Sequence, residues 1–132
     1  WSAAEGAGFT QGTPWIGLNP NHDRINVEKD AADPDGILAH YRALVALRRE
    51  RAVIVRGRYD PLAEDHAQVL AYTRTLGETV ILVVVNLSGE EATIDLPSDV
   101  QGPCTPVIGA SFRELGPTLR LDPWEAFAVE IG

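Results

Sequence analysis

The first regular spacing of apolar residues along the chain lies in DPDGILAHYRALVALRRER, residues 33–51. Apolar side chains recur there three or four positions apart, as on one face of a helix, at Ile37, Leu38, Tyr41, Leu44, Val45 and Leu47. Asp33 is a favourable N-cap and Pro34 suits the first helical position, while arginines near the other end complement the helix dipole. The pattern predicts one amphipathic helix over about residues 34–51.

After residue 56 the spacing changes, and apolar positions alternate with polar ones as in half-buried strands. The predicted strands lie at residues 57–62, 68–76, 79–87, 90–97, 104–109, 118–121 and 123–131. The segment TVILVVVNL, residues 79–87, is apolar on both faces and rich in β-branched residues. It is therefore predicted to be a central strand covered on both sides.

This succession of short strands predicts a mainly β fold class, an antiparallel β-sandwich over residues 57–132. Turn glycines separate the central segments, so that three successive strands can form a meander. The inner faces are predicted to include Val69 or Leu70, Leu82, Val84, Ile94, Leu121, Phe127 and Val129.

The first 33 residues show no repeating apolar spacing and are predicted to form a long loop. A structureless run of more than about 15 residues inside a compact domain is normally functional, or else indicates a wrong assignment. We therefore expect this loop to belong with a structure other than the sandwich.

Charge and hydropathy limit the partners. The chain has 11 basic and 19 acidic side chains and a formal charge of −8. Nucleic acid and anionic membrane surfaces would repel it on average, so neither is an expected partner. No apolar run approaches the roughly 20 residues of a membrane helix, and the start WSAAEGAG lacks the order of a signal peptide.

The single cysteine, Cys104, has no internal disulfide partner and no histidine nearby in sequence. We expect it to line a strand as a small apolar residue. A free thiol fits a reducing compartment, and the expected location is cytoplasmic.

No metal or cofactor site is predicted from the candidate ligands. The stretch from Asp33 to Gly36 resembles the centre of a calcium loop, but Ala31 stands at the first ligand position and Arg42 where a bidentate Glu is required. A capped helix start is the better interpretation. The three histidines lack metal-ligand spacing and are expected at the surface or in packing, at His22, His40 and His66.

Two further motifs favour structural interpretations. Ser111 lies in GASFR, which lacks the second glycine of a nucleophile elbow, and is expected in a loop. Asn86, Leu87 and Ser88 form a glycosylation acceptor sequence, but they follow a predicted buried strand, so a turn is expected there.

The first 51 residues resemble the closing segment of the catalytic barrel in the α-amylase superfamily of glycoside hydrolases, in its α-glucosidase and oligo-1,6-glucosidase branch. The resemblance rests on motifs in matching order and at similar spacing: Trp1, Gly8-Phe9-Thr10, Pro14-Trp15, Asn19-Pro20-Asn21, Asn26-Val27 and Leu47-Arg48. It continues through YDPL, VLAYTRT, VVVNLS and LDPWEAFAVEI, which resemble the C-terminal β-sandwich of these enzymes. His22, where a Tyr is common, and Gly17-Leu18, a looser Pro-Val step, depart from the pattern.

The resemblance implies that residues 1–56 are the tail of a (β/α)8 barrel, with a loop at 1–33 and the last helix at about 34–51. It also implies a retaining α-glucosidase-type activity on short α-glucosides, with an aspartate nucleophile and a glutamate acid/base on earlier barrel strands. Such a barrel takes roughly 250 residues. No catalytic residue is therefore assigned in this chain, and the sandwich is interpreted as a non-catalytic structural cap on the barrel.

One residue is a candidate for substrate binding. Trp15 lies in the loop that the resemblance places after the eighth barrel strand, which opens on the active-site face. Its indole is therefore a candidate for stacking on sugar, whereas Trp124 is expected at a strand entry.

A second function class stays open, in which the sandwich is an autonomous carbohydrate-binding or interaction module. The barrel's last loop and helix, together with the lack of a cluster of predicted exposed aromatics, favour the first interpretation. The expected partner is the catalytic barrel, with α-glucoside reached only through it. Without that barrel, the helix is expected either to fold back on the sandwich or to drive self-association. Linkage preference, and hydrolysis versus isomerisation, depend on residues outside this chain.

Overall fold

A computed structural model describes all residues, Trp1–Gly132, as two compact units, Trp1–Glu50 and Arg51–Gly132. The first unit contains a short 3-10 turn at Glu5–Gly8 and two helices, α1 at Val27–Ala32 and α2 at Ile37–Glu50. The second contains the short helix α3 at Ala52–Arg56, a 3-10 turn at Ser98–Val100 and all the strands. No helix is both long and apolar enough to cross a bilayer.

Helix α1 lies where the sequence predicted only loop. Asn26 caps it, because its side-chain oxygen accepts from the Lys29 N–H at 2.9 Å and its amide donates to the His22 carbonyl at 2.9 Å. The expectation of a featureless loop over residues 1–33 is wrong at this point. Six residues with a single large apolar side chain, Val27, are too few to show a helical period.

The start of α2 also differs from the prediction. Asp33 is not its N-cap, and Pro34 precedes it, because α2 begins at Ile37. The Asp30 carboxylate, on α1, accepts instead from the backbone N–H groups of Ile37 at 3.0 Å and Leu38 at 2.9 Å. Asp33 itself is the C-cap of α1, and its carboxylate accepts from the backbone N–H of Asp35. The first amides of α2 are therefore satisfied by a carboxylate on the preceding helix and not by a local N-cap side chain.

The second unit is an antiparallel β-sandwich, as predicted. Its strands are β1 Arg58–Leu62, β2 Val69–Leu76, β3 Thr79–Asn86, β4 Ala92–Asp95, β5 Gly102–Ile108, β6 Glu114–Leu115, β7 Thr118–Leu121 and β8 Ala126–Ile131. A six-stranded sheet has the order β1-β2-β3-β8-β5-β6, and β4 pairs with β7 in a second sheet. Every predicted segment contains a strand, and only β6 was missed, since two residues carry no period.

The main core lies between the two sheets. Val84 is fully buried on β3, where its neighbours across the ladder are Ala71 on β2 and Phe127 on β8. The predicted inner-face residues are all buried: Val69, Leu82, Val84, Ile94, Leu121, Phe127 and Val129. Leu70, the alternative to Val69, points away and is 43% exposed.

A second, smaller apolar cluster lies on the opposite face of the six-stranded sheet. Val53 of α3 packs there with Ile81 of β3 and Ala128 of β8. Arg51, just before α3, pairs with Glu130 of β8. The prediction that β3 is covered on both faces is therefore correct at Ile81, which is 1% exposed, whereas Val83 and Val85 are only half-buried.

The two edges of the six-stranded sheet are short or interrupted. On β1, Pro61 stands opposite Tyr72 of β2 and supplies no N–H group. At the other edge, β6 has only two residues.

Candidate functional site

The loop that carries the candidate Trp15 is a tight turn of small residues followed by an open aromatic stretch. Gly6, Ala7 and Gly8 all have positive φ, at 66°, 51° and 77°, which folds the chain back on itself. This turn brings the rings of Trp1 and Phe9 to a centroid distance of 6.3 Å. The turn therefore holds these two aromatic side chains beside each other.

Trp15 lines an open cavity of about 410 Å³ and is itself 95% exposed. The lining residues are Phe9, Thr10, Thr13, Pro14, Trp15, Ile16, Gly17 and Leu18. An exposed indole beside threonine hydroxyls offers a stacking face with nearby hydrogen-bond donors. None of the lining side chains is a carboxylate, so this groove can contact a sugar but holds no acid or nucleophile for glycoside cleavage.

Several carboxylates have identifiable structural partners. Asp30 caps α2, and Glu130 pairs with Arg51. Asp60 pairs with Arg58 at 2.9 Å. The hydrogen bond from Arg120 to Glu91, together with the attraction of the carboxylate, raises the pKa of the arginine. These acids cap a helix or pair with arginines, and none of them lines the groove at Trp15.

The three histidines are separate from one another, and two of them organise turns. His22 Nδ1 lies 3.0 Å from the Asn19 carbonyl. His66 Nδ1 accepts from the backbone of Gln68 at 3.2 Å and of Val69 at 3.1 Å. His40 is exposed on α2. No group of three His, Cys, Asp or Glu side chains is placed to hold a metal ion.

The motifs interpreted as structural lie in turns. Ser111 is exposed in the loop between β5 and β6. Asn86 is 1% exposed, and its amide donates to the carbonyls of Glu90 at 2.7 Å and Asp122 at 2.9 Å. An amide used in this way is closed to glycosylation in the folded chain.

Trp124 differs from its predicted role as a strand entry. It lies in a turn from Asp122 to Glu125, before β8 begins at Ala126, and its φ is +60°. A bulky residue in this region is strained by about 1–3 kcal/mol. The proline at position 123 favours a turn here and was the signal for it.

A partly exposed apolar surface on the sandwich was not predicted from the sequence: Tyr59 and Leu70 are exposed, whereas the other members are half-buried. It consists of Tyr59, Leu70, Tyr72, Val83 and Val85 on β1, β2 and β3, and we call it the outer patch. The Tyr59 and Tyr72 rings lie 5.0 Å apart at their centroids. The sequence signal for it was β3, whose side chains are apolar on both faces of the strand. The sequence did not show how little of the face turned away from the main core would be covered.

The fold defines a class of protein, in which a helical unit with an open aromatic groove is followed by an antiparallel β-sandwich. Residues 1–57 match the family described as Alpha amylase, catalytic domain, and residues 59–127 match Maltogenic Amylase, C-terminal domain. The chain belongs to the α-amylase superfamily of glycoside hydrolases, and its sandwich is a maltogenic amylase C-terminal domain.

Individual relatives agree with this assignment. An oligo-1,6-glucosidase of Parageobacillus thermoglucosidasius is 36% identical over 135 residues, which cover 99% of this chain. Trehalose-6-phosphate hydrolase of Bacillus licheniformis has a similar structure over 98% of the chain, with a TM-score of 0.88 and 33% identity. Trehalulose synthase of Pseudomonas mesoacidophila matches all of it, with a TM-score of 0.89 and 31% identity. The chain spans 24% of the length of each of these proteins.

Proposed function

We propose that this chain is the C-terminal portion of a retaining α-glucosidase-type hydrolase that acts on short α-glucosides. In this proposal, residues 1–56 complete a catalytic barrel and residues 57–132 form a non-catalytic cap that stabilises it. The longer polypeptide, meaning this chain preceded by the rest of the barrel, carries the catalytic aspartate and glutamate. It releases glucose from the non-reducing end of its substrate.

The observation that carries the proposal is the match of residues 1–57 to an α-amylase catalytic domain, in a chain that spans 24% of an oligo-1,6-glucosidase. Retaining hydrolysis needs two carboxyl groups about 5 Å apart across one sugar ring. The carboxylates described above serve as caps and ion-pair partners instead. The geometry therefore favours a structural role for this chain, with the catalytic carboxylates on residues that precede it.

The test compares the purified 132-residue chain with the longer polypeptide on a chromogenic α-glucoside. We expect glucose release by the longer polypeptide and none by the chain alone. Turnover by the chain that survives repurification would reveal a catalytic pair within it, and an inactive longer polypeptide would contradict the proposed activity.

We propose that Trp15 is the residue of this chain that lies near the substrate. Its exposed indole lines a groove in a loop within residues 1–57, the stretch that matches an α-amylase catalytic domain. In the longer polypeptide, we expect Trp15→Ala to raise KM by roughly tenfold, the equivalent of about 1.4 kcal/mol of lost stacking. Trp124→Ala, which removes an exposed indole from the sandwich, is the matched control and should leave KM unchanged. Equal effects of the two changes would remove Trp15 from the substrate site.

We further propose a cytoplasmic location. The support is Cys104, a buried free thiol, which suits a reducing compartment. Fractionation of cells that express the longer polypeptide tests this location. Detection of the polypeptide in the secreted fraction would contradict it.

A further inference from the structure

We propose that the groove at Trp15 holds the leaving group of the substrate, meaning the part on the other side of the scissile bond from the released glucose. The class of leaving group is an uncharged sugar or aryl group. We call this cavity, which is lined within residues 9–18, the aromatic groove. The inference rests on the proposed function and deepens it, because it names the part of the substrate that this chain contacts.

The first step is the lack of acidic groups in the aromatic groove. Its lining runs from Phe9 to Leu18 and contains no Asp or Glu. In retaining hydrolysis the attacked glucosyl ring lies between two carboxyl groups about 5 Å apart. The groove supplies neither carboxyl group, so it suits a part of the substrate that is bound but not attacked.

The second step is the direction of the substrate. A glucosidase that acts at the non-reducing end releases the terminal glucosyl unit, and no sugar precedes that unit. All the rest of the substrate is therefore leaving group. A groove that contacts the substrate away from the attacked ring must contact the leaving group.

The third step is the surface that the groove presents. Trp15 is 95% exposed, Phe9 70% and Ile16 62%. They give aromatic and aliphatic faces on which the C–H face of a sugar, or an aryl ring, can pack. Thr10 Oγ1 accepts from the Gly12 N–H at 3.0 Å, which fixes its oxygen and leaves its O–H group free to donate. The groove therefore matches a ring with an apolar face and polar groups at its edge.

The fourth step is a contrast with a second cavity in the same unit. That cavity has a volume of about 210 Å³ and is lined by charged side chains, among them Lys29 and Asp30. Its charges have partners in the fold, since Asp30 caps α2 and Lys29 Nζ donates to the Asp23 carbonyl at 2.6 Å. The aromatic groove is larger, at about 410 Å³, and falls within the range of about 300–1,000 Å³ for small-molecule sites. Of the two cavities, the aromatic groove is therefore the better ligand site.

The fifth step is the electrostatics of the groove. No Lys, Arg or His lines it, and the chain carries a formal charge of −8. A phosphate or carboxylate on the leaving group would therefore lose its hydration without gaining a charged partner. The groove thus favours an uncharged leaving group.

The experiment uses the longer polypeptide and compares substrates that differ only in their leaving group. α-Glucosyl fluoride has a single fluorine atom there, whereas an α-linked glucose disaccharide and a chromogenic aryl α-glucoside have a ring that can reach the groove. kcat/KM is measured for each substrate with the native protein and with Trp15→Ala. Val27→Ala removes a partly exposed apolar side chain from α1, outside the groove, and is the matched control.

We expect Trp15→Ala to lower kcat/KM about tenfold for the disaccharide and the aryl glucoside, because stacking on their rings is lost. For the fluoride, kcat/KM should stay within about twofold of the native value. Trp15→Phe retains an aromatic face and should restore most of the loss, whereas Val27→Ala should change none of the values. A disturbed fold would affect all three substrates, so the difference between them reports what the groove contacts.

Two results would overturn the proposal. Equal losses for the fluoride and the disaccharide would show that Trp15 does not act through the leaving group. Unchanged values for all substrates would show that no part of the substrate reaches the groove, as when another part of the polypeptide covers it.

The charge of the leaving group is tested with a disaccharide phosphorylated on its leaving sugar. We expect its kcat/KM to be at least about tenfold below that of the unphosphorylated disaccharide, because the phosphate finds no cation in the groove. Thr13→Lys adds a cation to the lining and should reduce this difference. A phosphorylated substrate that is hydrolysed as well as the neutral one would overturn the assignment of an uncharged leaving group.

Failure of the proposed function has a different signature. A longer polypeptide that hydrolyses none of the α-glucosides would remove the activity, and the groove is then tested by tryptophan emission during titration with the disaccharide. A change that is present in the native protein and absent in Trp15→Phe would support a sugar in the groove, because the other tryptophans are common to both. The same emission at all disaccharide concentrations would overturn it.

Discussion

Asn86 shows how one buried amide joins three parts of the sandwich. Besides its two donated bonds, its oxygen accepts from the backbone N–H of Ser88 at 3.1 Å and from the Ser88 hydroxyl at 2.9 Å. The side chain thus connects the end of β3 to the following turn and, through the carbonyl of Asp122, to the turn before β8. All four hydrogen-bonding positions of the amide are used.

Replacing Asn86 with Asp should destabilise the sandwich by about 3 kcal/mol or more, because a carboxylate oxygen would face two carbonyl groups in a buried site. Chemical denaturation followed by circular dichroism measures the change. Leu87→Asp adds the same charge at the adjacent side chain, which is 61% exposed, and should cost much less. Similar losses for both variants would show that the amide's bonds contribute little.

Cys104 has a different role at the residue scale, as a buried group that can ionise. Burial raises the pKa of the thiol above 9.0; Arg113 lowers it and Glu114 raises it further, each by a smaller amount. The folded chain therefore retains this proton at a pH where the unfolded chain has lost it. Stability from the neutral thiol is complete at a pH well below the unfolded-state pKa and is lost as the pH rises through the folded-state pKa.

The pH dependence can be measured against Cys104→Ala, which lacks the titrating group. We expect the free energy of unfolding of the native chain to exceed that of the variant by a constant amount below about pH 8, since the thiol stays neutral in both states there. The difference should shrink as the pH is raised further. A constant difference up to about pH 10.5 would contradict a raised pKa for Cys104.

At the scale of elements, the sequence predicted which segments are helices and strands better than where they start. The apolar period of α2 was clear, but its N-terminal amides are capped by Asp30, which lies on another helix and cannot be identified from the local pattern. Trp124 was predicted in a strand because the apolar alternation of β8 was extended back through the turn that precedes this strand. Helix α1 and strand β6 were missed because they are shorter than the period needed to detect them.

Helix α2 exposes the apolar side chains that made it predictable. Ile37 is 83% exposed, Tyr41 64% and Leu44 40%. Such a stripe tends to find a partner in solution. We expect the 132-residue chain to self-associate, with a mass by light scattering that rises above 14.3 kDa with concentration.

The double change Tyr41→Glu and Leu44→Glu should keep the chain monomeric, because it places charge within the stripe. Ala46→Glu, on the opposite side of α2 by helical spacing, is the control and should leave association unchanged. A native chain that is strictly monomeric at all concentrations would contradict the expectation.

At the scale of the whole molecule, the alternation of apolar residues predicted the sandwich and the inner-face residues, because a period of two assigns each side chain to one face. The same alternation could not predict the candidate site. Trp15 lies in a loop without a period, and the alternation in β3 did not indicate how little of its second face would be buried in this chain. The family resemblance, which rests on motifs, supplied the family and, through it, the proposed function, which periodicity alone could not supply.

The two sheets share one core, so a single charge buried in it is expected to unfold the whole sandwich. Val84→Asp would place a carboxylate between the two sheets, at a cost of several kcal/mol against a total stability of about 5–15 kcal/mol. We expect the cooperative thermal transition of the sandwich to be lost. Thr93→Asp, at an exposed position of β4, is the control and should melt close to the native chain. A Val84→Asp variant with unchanged melting would show that β3 is misplaced.

The sheet edges determine how the 132-residue chain would aggregate if it were overproduced by itself. Fibril growth by strand addition needs a long free edge with a regular row of N–H and C=O groups. Pro61 removes one donor from β1, and β6 offers only two residues. Aggregation of the chain should therefore produce amorphous aggregates held together by side-chain contacts. These aggregates should lack the cross-β order that thioflavin dyes detect.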